Sequence, residues 1–267
     1  MLVALATVWT DAALECPAAA APIRIDLISE ARAIAPGEVF TVAIRQRMKP
    51  GYHTYWRNPG TVGLATRVEW KLPDGFKAGP IQWQAPELTV MAAYQVWGYE
   101  KEALLLVDIQ APETLTVGDE VVVAGDVTWM CCGKQCHPGF KELSLVLPIA
   151  EKPKVNRRLQ GAFNRVRAEQ PRTMKGWKVE CSAKEDAYTL RVSPAAQING
   201  DVRFFDYDRQ VSSDKPQRLK RDGISLVLDL QQEAHSGERL GRLRGVLRLG
   251  ESGNFKVVAV DAPISRE

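Results

Sequence analysis

The chain has 267 residues, 45% of them hydrophobic and 25% charged, which is the composition of an ordinary globular protein long enough to bury a sizeable core. A disulfide-stapled mini-scaffold is excluded, and no apolar run approaches the roughly 20 residues of a membrane-spanning helix. Lys and Arg number 35 against 32 Asp and Glu, a net +3, and apart from an arginine-rich stretch near 157–167 the basic residues are scattered, so no nucleic-acid partner is expected.

In chain order, Met1 to Trp9 is a short apolar stretch followed by Ala18-Ala19-Ala20-Ala21, which resembles a secretory signal with its small-residue cleavage zone. No Lys or Arg precedes it, so residues 1–21 are either a leader whose start lies upstream or plain apolar sequence; export is the reading adopted. Cys16 follows Glu15, where a lipid-acceptor cysteine needs a small residue, and it is assigned no role.

From Pro22 the pattern has period two. Runs at 23–27, 39–44, 67–72, 103–109, 120–127 and 143–147 are separated by turn signals such as Ala35-Pro36-Gly37, Pro73-Asp74-Gly75 and Val117-Gly118-Asp119. Residues 22–150 therefore read as one antiparallel β-sandwich. Between Pro153 and Pro171 the period becomes helical, with Leu159, Phe163 and Val166 on one face and Arg157, Arg158, Arg165 and Arg167 largely elsewhere. This predicts a linker helix over 151–172 whose narrow apolar stripe packs on a neighbouring domain. Strand patterns resume at 177–181, 188–192, 201–205, 224–230, 242–249 and 255–260, a second β-sandwich over 173–267. The expected fold class is thus all-β, two immunoglobulin-like sandwich domains joined by a short helical linker. Cys181 falls inside a strand and reads as a small buried hydrophobe, and His235 reads as a surface-loop residue.

Three of the five cysteines, Cys131, Cys132 and Cys136, lie within six residues, a clustering that points to chemistry more than to a framework of staples. The segment Val127 to Gly139 joins one apolar strand to the next and has the shape of a hairpin tip. With Gly133-Lys134-Gln135 as a three-residue loop, Cys132 and Cys136 become directly opposed, their Cα atoms about 4.5–5.5 Å apart, which is disulfide distance. On one extended strand they would lie about 13 Å apart. A disulfide closing so small a ring at an exposed tip is a poor staple and a good exchanger. Lys134 and His137 would favour a thiolate there, while His137 reads equally well as an aromatic cover. Strand alternation sends Cys131 to the opposite face from Cys132, outside the exchange reaction.

Two alternatives stay open at this point. Cys131, Cys132, Cys136 and His137 form a possible Cu(I) or Zn(II) set, although neighbouring strand residues do not easily share one ion; and the pair is readable as a brace in a non-catalytic adhesive sandwich.

The run Trp129-Met130-Cys131-Cys132-Gly133-Lys134-Gln135-Cys136-His137-Pro138-Gly139 resembles the W-x-x-C-x-x-x-C-x-P-G segment in the N-terminal periplasmic domain of DsbD-type thiol:disulfide interchange proteins, particularly their ScsB-like branch. Residues 50–60 (PGYHTYWRNPG), 68–73 (VEWKLP) and 97–100 (WGYE) are similar to other recurrent segments of that family, so the resemblance covers about 22–150. It implies a periplasmic immunoglobulin-like thiol:disulfide oxidoreductase domain, without cofactor or metal, that takes electrons from a membrane-embedded DsbD/ScsB-type redox domain and passes them to periplasmic thioredoxin-fold proteins. Cytochrome c biogenesis and copper tolerance are the processes such a domain would serve. By motif, Cys132 and Cys136 are the redox pair, with Cys136 the sulfur that contacts partners and Cys132 the one that resolves. Tyr52, His53 and Tyr55 fall on the strand that lies beside the cysteines, and a cap falls near Pro86–Val96, where Met91 and Tyr94 are the candidate covers. The sequence departs from the better-known members in its tighter C-x3-C spacing and in the additional thiol Cys131. The membrane domain and thioredoxin-like domain of full-length members are missing from it, so it reads as a fragment, a split subunit or a stand-alone carrier.

Overall fold

The computed structural model describes residues 21–195, 198, 200–234, 239–251 and 254–266. Cys16, the rest of the signal-like segment up to residue 20, and His235 lie outside the described residues. The first β region consists of β1 (Ile23–Ser29), β2 (Ala31–Ala33), β3 (Val39–Met48), β4 (His53–Tyr55), β5 (Arg67–Lys71), β6 (Lys77–Ala78), β7 (Glu87–Met91), β8 (Tyr94–Glu100), β9 (Glu102–Gln110), β10 (Glu120–Cys132) and β11 (Cys136–Pro148). After β12 (Lys154–Val155) and the helix α1 (Arg157–Ala168) come β13 (Lys178–Lys184), β14 (Ala187–Ser193), β15 (Val202–Asp206), β16 (Arg218–Asp222), β17 (Ser225–Gln231), β18 (Arg242–Glu251) and β19 (Asn254–Arg266).

The first region is a sandwich of two sheets, one ordered β1-β3-β9-β6 and the other β11-β10-β4-β8-β7 with β5 added to β10. Alternation decides which side chains fill the space between them. Ile44 and Leu105 from the first sheet meet Trp97, Tyr99, Val127 and Leu143 from the second, and further along Val42, Val107 and Ile109 meet Val121, Val123 and Leu147. The run Leu104-Leu105-Leu106-Val107 breaks the alternation because β9 is buried on both faces. Leu104 and Leu106, with Ala43 of β3, face outward and are covered by Phe163 and Val166 of α1. Burying those two helix side chains contributes roughly 1.5–3 kcal/mol each. The apolar stripe of α1 thus lies on β3 and β9, with Arg157, Arg158 and Arg165 exposed and Arg167 held by Glu30 through both guanidinium nitrogens.

The second region is one seven-stranded sheet, β15-β18-β19-β13-β14-β17-β16, closed in its middle by the parallel pair of β13 and β19. Leu190 of β14 and Leu226, Leu228 and Leu230 of β17 share a core with Phe204 of β15, Val246 of β18 and Val258 of β19, so the sheet curls and its two wings pack on each other. The molecule is all-β with one helix, in two immunoglobulin-like sandwiches, the second made from a continuous curled sheet. No helix among the described residues is long and apolar enough to cross a membrane.

Candidate redox site

The hairpin of β10 and β11 stays in register to its tip, where Cys132 is the direct cross-strand partner of Cys136. The two are disulfide-bonded, with a Cα–Cα distance of 4.1 Å, and the Gly133 N–H donates across the loop to the Gln135 carbonyl at 3.0 Å. Gly133 is not among the glycines with positive φ, so its lack of a side chain serves packing and not the turn conformation. A Cβ on Gly133 would sit 2.7 Å from the Gly51 carbonyl oxygen and 3.0 Å from the Tyr52 ring, so the glycine lets the loop lie against that neighbouring turn. Gly139 acts similarly lower in the hairpin, where its cross-strand partner Trp129 lays its indole over the missing side chain.

The pair is asymmetric. Cys132 is fully buried in a small cluster with Tyr55 and Val96, against which Val62, Met91 and Met130 pack, whereas Cys136 is exposed. Cys131 points the other way, into the sandwich core with Trp56, Trp97 and Val127, and burial pushes its thiol up to about 11. A metal set that needs Cys131 and Cys132 on one ion is at odds with these opposite faces. Cys181, in the core of the second region, is likewise pushed up to about 12 by burial.

Beside Cys132 runs β4. His53 is the cross-strand partner of Cys132 on one side and of Glu100, in β8, on the other, so Cys136, Cys132, His53 and Glu100 form one row across four strands. His53 is 2% exposed, its ring centroid lies 5.1 Å from that of Tyr55 in an edge-on contact, and burial lowers its pKa against the opposing pull of Glu100. The Tyr55 hydroxyl is pushed up to about 12, mainly by burial. Neither His53 Nε2 nor the Tyr55 hydroxyl has a hydrogen-bond partner among the described residues. Glu100 accepts a hydrogen bond from the Thr89 hydroxyl at 3.0 Å.

The other anticipated residues divide between two places. Tyr52, just before β4, and His137, the second residue of β11, meet with ring centroids 5.8 Å apart in a tilted contact. The segment 86–96, expected as a cap loop, contains β7 and the start of β8 and forms a tight hairpin; Met91 packs into the Cys132 cluster, while Tyr94 stands 43% exposed across from it. Sequence alone assigns Glu100 no role, because its place in the row depends on the register of four strands.

Residues 25–148 match the family described as thiol:disulfide interchange protein DsbD, N-terminal. This segment is a DsbD N-terminal domain. The whole chain is also similar to the crystal structure of the N-terminal periplasmic domain of ScsB from Proteus mirabilis, at a TM-score of 0.60 and 16% identity over 90% of this chain and 92% of that one, a likeness of fold. The Bacillus cereus major pilin BcpA, at a TM-score of 0.30 and 11% identity over 92% of this chain and 69% of that one, carries no argument. No curated protein sequence matches. A DsbD N-terminal domain is a thiol:disulfide interchange domain, and Cys132–Cys136 is the disulfide found among its described residues.

The second sandwich reaches this DsbD domain beside its cysteines. Trp56, next after β4, lies 6.3 Å from Phe205 and 5.4 Å from Tyr207, and Trp97 lies 5.6 Å from Phe205. Asn58 donates to the Asp206 carbonyl at 2.8 Å. The hairpin of β7 and β8 is tied as well: Ser213 Oγ donates to the Gln95 carbonyl at 2.7 Å and the Gln95 N–H donates to Asp214 at 3.1 Å. The Asp206 carboxylate is fully buried, takes hydrogen bonds from the backbone N–H groups of Asp208, Gln210 and Val211, and is pushed up to about 6 because desolvation outweighs them.

Proposed function

We propose that this chain is a periplasmic thiol:disulfide exchange carrier that takes electrons from a membrane-embedded DsbD/ScsB-type redox domain and passes them to thioredoxin-fold proteins through Cys132 and Cys136. The observation that carries the reading is the asymmetric pair at the hairpin tip, with Cys136 exposed and Cys132 buried behind it. In one turnover the Cys136 thiolate attacks a partner disulfide and forms a mixed disulfide; Cys132 then attacks Cys136, closes the intramolecular bond and releases the reduced partner. The bond closes a ring too small to restrain much unfolded chain, which supports turnover over bracing. Met91, from the hairpin of β7 and β8, serves as a cover over Cys132, and Tyr94 lies where an approaching partner meets it first.

The testing experiment is covalent trapping. A Cys132→Ser variant expressed in the exporting compartment accumulates a reducible adduct with a thioredoxin-fold protein, identified by mass spectrometry, because the resolving sulfur is gone. If neither Cys132→Ser nor Cys136→Ser traps a partner while both are folded and exported, the proposal fails.

A further inference from the structure

The row Cys136, Cys132, His53, Glu100 holds more than a disulfide. Directly opposed residues on neighbouring strands carry their side chains on the same face with Cβ atoms about 4.5–5.5 Å apart, which puts the imidazole of His53 alongside the sulfur of Cys132. That imidazole is buried, and in the disulfide state its Nε2 has no hydrogen-bond partner among the described residues. Buried nitrogens without partners are rare and call for an explanation. In the disulfide state the Cys132 sulfur carries no proton; in the reduced state it carries one, on the side chain directly opposite His53 in the register. The groups facing His53 are Cys132 from β10, Glu100 from β8 and Tyr55 from its own strand, and the charged one among them, Glu100, favours the imidazolium.

We propose that His53 is the proton acceptor for the resolving cysteine. The inference rests on the exchange reading and assigns the residue that makes its second step fast. The buried Cys132 thiol is a poor nucleophile until deprotonated. In the mixed disulfide, the Cys132 S–H proton passes to His53 Nε2 and the freed thiolate attacks Cys136. The Cys132–Cys136 bond forms as the Cys136–partner bond breaks, and the electron pair leaves on the partner sulfur. That thiolate takes the proton back from His53, so the protein dithiol is oxidised, the partner disulfide is reduced, and the imidazole ends neutral. Burial keeps His53 mostly neutral, and so competent as a base, at neutral pH.

The test follows the two steps separately. The reduced full chain is mixed with an aromatic disulfide that releases a coloured thiolate, once when Cys136 is modified and again when Cys132 resolves the adduct. In the wild type the second release is flat with pH above the titration of His53 and falls below it. In His53→Gln it is slower by at least about tenfold at neutral pH and keeps climbing through the thiol range. Glu100→Gln, at the exposed end of the row, slows it by about two- to threefold and moves the fall to lower pH. A folded His53→Gln protein with the wild-type rate and profile overturns the proposal. Should that variant fail to fold, the wild type decides: the pH at which its second step falls must coincide with the titration of the His53 ring by NMR, and a fall only in the thiol range overturns the assignment. Absence of any second release from wild type at all pH values is a different result, since it defeats the exchange reading itself.

Discussion

Cys132 and Cys181 hold comparable seats in the two sandwiches. Each is buried, each lies on a strand flanked on both sides, and each has a direct partner on either hand. Cys181 stands between Leu190 and Ile264, whereas Cys132 stands between Cys136 and His53. Burial alone raises a thiol's pKa and so disfavours the reactive thiolate, as it does at Cys181 and at Cys131. What separates the disulfide-bonded position from the unpaired one is the identity of two cross-strand neighbours, and only register supplies them.

The sharpest way to break this comparison is to exchange the roles of the two sites. Cys136→Ser is expected to abolish exchange with any disulfide substrate, while Cys181→Ser leaves the exchange rate within about twofold and lowers stability by about 1–3 kcal/mol through its buried hydroxyl. Paired rate and urea-unfolding measurements check both, and loss of exchange in Cys181→Ser would erase the distinction.

Charge extends the contrast. Burial pushes both His53 and Asp206 toward their neutral forms, but Asp206 is surrounded by backbone donors and His53 Nε2 by none. The folded pKa of Asp206 is raised, so its stabilising contribution is full below the ordinary carboxylate pKa and is lost as pH rises through about 6. Stability attributable to this group should therefore grow by up to about 3 kcal/mol between pH 7 and pH 4. Asp206→Asn should flatten that part of the profile in urea titrations at several pH values. An unchanged slope contradicts the shift.

Smaller effects concern the tip. Gly133→Ala must displace the Gly51 carbonyl or the Tyr52 ring and is expected to cost about 1–3 kcal/mol, read by thermal unfolding, with slower closure of the disulfide. Cys131→Ser should lower stability by a similar amount, yet leave exchange within about threefold, since its side chain lies in the opposite core. Smallest is Ser213→Ala. It removes the hydrogen bond to the Gln95 carbonyl, about 1 kcal/mol, and should raise the reactivity of the pair toward small disulfides a few-fold by loosening the β7–β8 hairpin. Equal reactivity would mean that this tie does not govern access.

Long strands with one covered face were readable as alternation, and β10 shows why: Val121, Val123 and Val127 are buried against the facing sheet while Val122 and Thr128 are exposed. The opposed cysteines were readable too, because a three-residue gap containing glycine fixes which residues face each other across a hairpin. Other elements leave no such trace. All three residues of β4 are buried, so it has no alternation, and β16 is an exposed edge strand of mostly charged residues that reads as loop. The row through His53 and Glu100 joins residues far apart in the chain, and no local pattern encodes which of them end up opposite Cys132. The ties from Ser213 and Asp214 to the β7–β8 hairpin are likewise long-range, made by the packing of one sandwich on the other.

The aromatic junction between the sandwiches gives the protein a built-in optical label. Trp56 and Trp97 are 1% and 0% exposed, and both are held edge-on against Phe205. Separation of the halves would wet both indoles and shift their emission to the red, whereas movement confined to the cysteine tip would leave them dry. A fluorescence titration with a docking partner can thus tell a hinge between sandwiches from a local opening at the disulfide.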